Sequence, residues 1–348
     1  MVKKATRIFL VLLLIQLCLS GCDTKESDNG LAEVYTEDSS GITNETVVND
    51  AKDNLIEMYK QDDSQYRDAN KTGSIDDPYL HIIGLYGRYN ENTNERYPDY
   101  YDLFDTKNSL ESMKSFFQDV TNEYDYLVFM DQFLAYEDYY DGDDKFVYGY
   151  GFLSEQAIRS IVNQHVKLED GTDYMYTQIS TAHMGQNLSL YYDDSIFEGN
   201  NFSEGDFNKK GPESSISVIL GYDYYDSHSV GDVLESFSLH GTSVSLHVIG
   251  FFKPDTSIRV FGHDLDLDTH IVLPFYDISY APVNEADEAY QKIYYSQKLD
   301  ALMIKIPALD IDNKDVLVGV NKKAIDDFAS KYNLMYTLSS ELAEIIIN

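Results

Sequence analysis

The sequence predicts an α+β fold, and three observations carry that expectation. Strand-like and helix-like runs alternate through the first half of the chain. From about Asn187 the texture changes to short apolar strands separated by turns. The composition, 43% hydrophobic with 30 Tyr and 17 Phe but no Trp, supplies enough apolar surface for a large core rich in tyrosine.

Taken in order, Tyr79–Tyr86 reads as a strand and the Asn- and Tyr-rich stretch 87–105 as a loop. Asn108 with Glu111 three residues on resembles a capping box, and Leu110, Met113, Phe116, Phe117 and Val120 follow at helical spacing. Tyr124–Phe133 is an aromatic strand, Asp138–Asp144 a turn and Lys145–Phe152 a further strand. Ser154–Gln164 forms a second helix with Ile158, Ile161 and Val162 on its apolar side, and Tyr174–Ser180 returns to strand. Helices on one face of a mostly antiparallel sheet fit this order. Leu188–Tyr192, Ser215–Gly221, Val233–Leu239 and Val244–Phe252 read as strands, the last two joined by a hairpin at His240-Gly241. Asp266–Pro274, Leu302–Ile306 and Leu334–Leu338 read as strands. Asn321 is placed to cap a helix carrying Ile325, Phe328 and Tyr332, and Ser340–Ile347 reads as a short terminal helix.

The N-terminus places Lys3, Lys4 and Arg7 before the apolar run Ile8–Leu19, which is too short for a comfortable bilayer crossing of about 20 residues. It ends Leu19-Ser20-Gly21-Cys22, which resembles the lipobox of bacterial lipoproteins. That resemblance implies cleavage before Cys22 and a diacylglycerol on its thiol. Only two cysteines exist, and Cys18 falls in the discarded signal. The remaining chain therefore has no disulfide, no thiol nucleophile and no cysteine metal site. The lipid is expected to be its sole membrane anchor, at the extracytoplasmic face of the cell membrane. Net charge is −34, or near −37 from Cys22 onward, which argues against a nucleic-acid partner and favours a solvated surface or cationic ligands. Residues 22–78 read as the lipidated cysteine and a flexible acidic tether.

The stretch from Ile196 to Phe252 resembles the periplasmic core domain of MacB-type ABC permeases. The ordered series is Glu198-Gly199-Asn200-Asn201-Phe202 with Asp206, then Val218–Gly221, then Val230-Gly231-Asp232, then His247–Gly250. Val272-Leu273-Pro274-Phe275 and the Tyr-rich run ending at Gln132 extend the likeness to roughly Tyr79–Leu338. The residues themselves point to folding roles: Gly231 to a positive-φ turn, Asp232 to local amide bonding, and Gly199, Asp206, Gly221 and Gly250 to turns and close backbone approach. The resemblance implies two lobes. One is an α/β lobe with a mixed or antiparallel sheet built from residues 79–186 and 262–348; the other is an inserted β-rich lobe at 187–261. It also implies non-enzymatic work beside an ABC-type permease, in export or envelope stress. The permeases carry one membrane helix before this domain and three after it. Here a lipobox stands before it and no later segment is apolar for 18 residues, so transport would run through another polypeptide. A solute- or peptide-binding lipoprotein and a truncated permease are the alternatives.

Catalytic candidates are sparse. The eight histidines include no HExxH pattern, and no Gly-x-Ser-x-Gly elbow exists. Asp264, Asp266 and Asp268, flanked by His263 and His270, would share one side of a strand and form a weak cation site. Asp138, Asp141, Asp143 and Asp144, and Asp310, Asp312 and Asp315, do not follow an EF-hand loop. In a chain with 60 acidic residues, such clusters usually mark a solvated face. No catalytic residue, metal or cofactor is assigned.

Overall fold

The computed structural model describes residues 75–88, 96–151, 153–167, 173–212, 215–260, 263–306 and 314–347. The expected signal segment, Cys22, and the expected tether up to residue 74 lie outside them.

Among the described residues, fifteen strands and six α-helices follow one another. Strand β1 (Ile75–Gly84) begins four residues inside the expected tether. Helix α1 (Tyr100–Asp105) occupies the end of the expected loop, and α2 (Ser109–Glu123) follows it. Its apolar stripe is buried as the spacing predicts. Asn108 makes no side-chain cap; it adopts φ 64° instead, a left-handed conformation that asparagine tolerates. Strand β2 (Tyr126–Tyr136) leads past a 3₁₀ turn to α3 (Glu155–Ile161), capped by Ser154. Of the strand expected at Lys145–Phe152, the described residues show a single bridge, Val147 to Ile179; Phe152 lies outside them. Strands β3 (Gln164–Lys167) and β4 (Asp173–Met184) form a hairpin. The strand expected at Leu188–Tyr192 is helical: α4 (Gln186–Ser189) runs into a 3₁₀ segment that buries Tyr192.

Next come β5 (Ile196–Gly199), β6 (Asn208–Lys209), β7 (Ile216–Leu220), β8 (Val233–Leu239) and β9 (Thr242–Phe252). His240 and Gly241 turn the β8–β9 hairpin with φ 51° and 68°, the pair of positive values that a two-residue hairpin favours. Asp266–Pro274 is not continuous: β10 (Ser257–Val260) and β11 (His263–Asp266) form a hairpin, and a turn precedes β12 (Ile271–Pro274). Strand β13 (Asp277–Ile278) pairs with β6. Helix α5 (Glu285–Asp300), β14 (Leu302–Lys305), α6 (Lys314–Lys331) and β15 (Tyr336–Ile347) complete the chain. Asn321 lies inside α6 and donates to the Leu317 carbonyl rather than capping. The expected terminal helix is the long strand β15, because its β-branched end finds partners in β1 and β10.

Six strands close on themselves in the order β2–β8–β9–β7–β12–β4, with β4 pairing back to β2. Strand β2 is long enough to serve twice. Ala135 and Tyr136 pair with β8 in the barrel, while Tyr126–Val128 pair with β14. From there an open extension runs β14–β1–β15–β10–β11. Helix α5 packs on β1 and on α2, and α6 packs on β15. Closure removes the free edges that a six-stranded sheet would otherwise expose. The α+β class stands. The sheet is not divided at the expected lobe boundaries, however. Strands β7, β8 and β9, from the segment expected to be inserted, share the barrel with β2, β4 and β12 from either side of it.

Burial follows from this. Along β9, Val244, Leu246 and Val248 are buried and alternate with partly exposed Ser245 and His247, the mark of a wall with one solvated face. Strand β4 is buried on both faces over its last nine residues. Phe129, Ala182, Met184, Ile219 and Val272 pack there against Tyr192 and Phe252 in one cluster.

Candidate functional site

Two glycines of the ordered series, Gly199 and Gly250, meet at one place. Gly199 ends β5 at φ 84°, and a Cβ there would stand 2.2 Å from the Ile249 carbonyl oxygen. Gly250 faces it on β9, where a Cβ would lie 2.7 Å from the Asn200 oxygen. A Cβ on Gly221 would be driven to 2.1 Å from the Leu267 oxygen and 2.2 Å from that of Asp268. Hydrogen bonds fix this approach: Gly221 N–H donates to the His270 carbonyl at 2.9 Å and Asp223 N–H to Asp268 at 3.0 Å. Gly231 takes φ 98° in open space. Asp232 accepts from Ser229 N–H at 2.8 Å, and Asp206 accepts from the Ser203 amide and hydroxyl and from Ser217. These residues join backbones; their polar atoms are spent on neighbouring chain.

The weak cation candidates do not converge. Asp264 is held in a two-pronged pair with Arg259, which keeps its carboxyl below the usual range. Asp266 accepts from the Asp268 amide. Asp268 lies beyond β11 and accepts from Asp255 N–H; burial raises its pKa. In the Asp138–Asp144 turn, Asp138 and Asp143 bond local amides. Among the described residues, no group of three or more His, Cys, Asp or Glu is placed to hold a metal ion.

Sequence reasoning missed the layer of aromatic rings between α5 and the barrel. Tyr290 and Tyr294 stand one turn apart on α5, and Tyr294 stacks on Tyr276 at 4.7 Å. The Tyr276 and Tyr290 hydroxyls are hydrogen-bonded at 2.5 Å. His240, from the hairpin turn, lies 6.0 Å from Tyr290, and Phe275 bridges Tyr294 to His183. Two lysines are buried against these rings. The Lys209 ammonium lies 5.5 and 5.4 Å from the ring centres of Tyr276 and Tyr290. Lys298, 3% exposed, donates to Asp277 at 2.7 Å and to the Tyr276 carbonyl at 3.1 Å, with the Phe117 ring 4.5 Å away. A cleft of about 220 Å³ opens beside this layer, lined by Asp206, Asn208, Lys209, Lys210, Ser217 and Tyr276.

The protons here are fixed. Burial pushes the Tyr276, Tyr290 and Tyr294 hydroxyls well above their ordinary range. It pushes His183 well below and His240 down to about 3. The layer therefore supplies ring faces, donors and cations at neutral pH, without a base poised near 7. The only sequence signal for it is the Tyr290/Tyr294 spacing.

Comparison with protein-family models, with curated proteins and with solved structures finds no match.

Proposed function

We propose that the chain is a lipid-anchored accessory protein of the extracytoplasmic face that works by contact with an ABC-type permease. The lipobox ending in Cys22 is the observation that carries this reading, and the ordered series from Glu198 to Gly250 supports the permease connection. A body whose series residues tie β5, β9 and the 221–225 turn together suits a rigid contact module better than a catalyst. Among the described residues no helix is long and apolar enough to cross a membrane, which is compatible with tethering by a lipid and says nothing further. Affinity purification of the tagged full chain from detergent-solubilised membranes is expected to recover a permease subunit, and to lose it when Cys22→Ala abolishes anchoring. Repeated recovery of no permease would overturn the proposal in favour of solute binding, for which the cleft beside Lys209, Lys210 and Tyr276 is the available place.

A further inference from the structure

Phe197 projects from β5 with 46% of its surface exposed. Its ring stands edge-on to Tyr222 at 5.3 Å and to Tyr225 at 5.0 Å, and those two rings are nearly parallel, 7° apart. Tyr225 is backed from beneath by the fully buried Phe251. The three rings form an aromatic plate, with Phe197 edge-on to the two tyrosines, carried on backbone that is held in place. Gly199 and Gly250 lock β5 against β9, and Gly221 locks the 222–225 turn against Leu267 and Asp268.

The rim of the plate is acidic. Glu198 accepts from the Tyr225 hydroxyl at 2.8 Å and is itself exposed. Asp226 is exposed beside Tyr225, and together Glu198 and Asp226 raise the pKa of that phenol. Asp223 is paired at 2.8 Å with Lys145, whose ammonium lies 5.0 Å from the Phe146 ring centre. The protein thus seats one of its own cations between a carboxylate and a ring at the edge of this surface.

We propose that the plate is a docking surface for an arginine- or lysine-bearing segment of another polypeptide. The cationic head would lie on the Phe197 and Tyr225 rings and meet Glu198 and Asp226, while its aliphatic stem covers the exposed face of Phe197. Charge decides the occupant. A second copy of a chain carrying −34 would bring acid to acid, whereas a basic segment is drawn to the surface and is neutralised there. Rigid rings reduce the ordering cost of binding, so a small plate suffices. This inference stands whether or not the partner is a permease.

The test is fluorescence anisotropy with a labelled eight-residue peptide of alternating glycine and arginine, titrated with the detergent-solubilised full chain. Phe197→Ala, and separately Glu198→Gln with Asp226→Asn, are expected to weaken binding about tenfold. Phe197→Leu, which keeps an apolar side chain without a ring face, is expected to weaken it comparably while leaving the thermal melt unchanged. The control Asp105→Asn with Glu111→Gln removes the same charge from the helical layer and is expected to change affinity less than about twofold. Equal weakening in the control and the rim variant, no effect of either Phe197 change, or no binding by the unaltered chain would overturn the proposal.

Discussion

Gly221→Ala is expected to abolish cooperative folding, while the same change at Gly231 costs about 1–2 kcal/mol. Gly221 has φ −63°, which any residue adopts, so its requirement is space rather than conformation. The added methyl would meet two backbone carbonyl oxygens at 2.1 and 2.2 Å. Those oxygens cannot retreat without breaking the bonds that Gly221 and Asp223 make to His270 and Asp268. These bonds hold the 221–225 turn to the segment entering β12, a barrel strand. A loss above about 4 kcal/mol is the expected scale for forced overlap with fixed backbone, a large part of the stability of a typical domain. At Gly231 nothing stands within 4 Å of the added Cβ, and only the left-handed backbone is penalised. Urea unfolding of the two variants separates the cases. Equal and small losses would show that β12 and the turn are not in this contact.

Acid is expected to unfold the protein over a range where its carboxylates still carry charge. Four described histidines titrate below their ordinary range in the folded chain: His81, His183, His228 and His240, each chiefly because burial disfavours the imidazolium. In the unfolded chain they take up a proton near pH 6.5. Below that pH the unfolded state binds more protons, so stability falls as pH falls. The fall continues until the folded pKa is reached, which for His240 is about 3. Each such histidine contributes a slope of about 1.4 kcal/mol per pH unit. His240 alone should therefore remove roughly 2–3 kcal/mol between pH 6.5 and 4.5, and His183 adds to the loss in the same direction. Asp119 and Asp264, held low by Lys331 and Arg259, add to the loss only at lower pH; Asp268, held high by burial, acts in the opposite sense. His183→Leu should fit beside Phe275 and flatten the slope, measured by urea unfolding from pH 7.5 to 4.5. An unchanged slope would mean that His183 is not buried as described.

How much of this was legible depended on whether the cause was local. The His240-Gly241 hairpin was readable because two alternating runs flank a two-residue turn, and α2 because five apolar residues repeat at helical spacing. The glycines at 199, 221, 231 and 250 stood out in the chain, although only the fold reveals that three answer to space and one to φ alone. Barrel closure was not readable. It rests on β2 meeting β4 across some fifty residues and on β7 lying parallel to β9, and neither leaves a local trace. Ser340–Ile347 carries Glu, Leu and Ala, which suit a helix; pairing with β1 and β10 outweighs that preference. Helix α5 escaped notice because tyrosines replace aliphatic residues on its buried face. Its signals were Asn284 capping Asp287 and the spacing of Tyr290, Ile293, Tyr294 and Gln297. The burial of Lys209 and Lys298 against rings is tertiary, and no spacing announces it.

We propose that a lipid on Cys22 holds this barrel-bearing body at the outer face of a membrane. Metabolic labelling with an alkyne-bearing fatty acid, followed by membrane fractionation, addresses it directly. The full chain should take up the label and sediment with membranes, whereas Cys22→Ala should remain unlabelled. Label retained by Cys22→Ala, or absent from the unaltered chain, would contradict it.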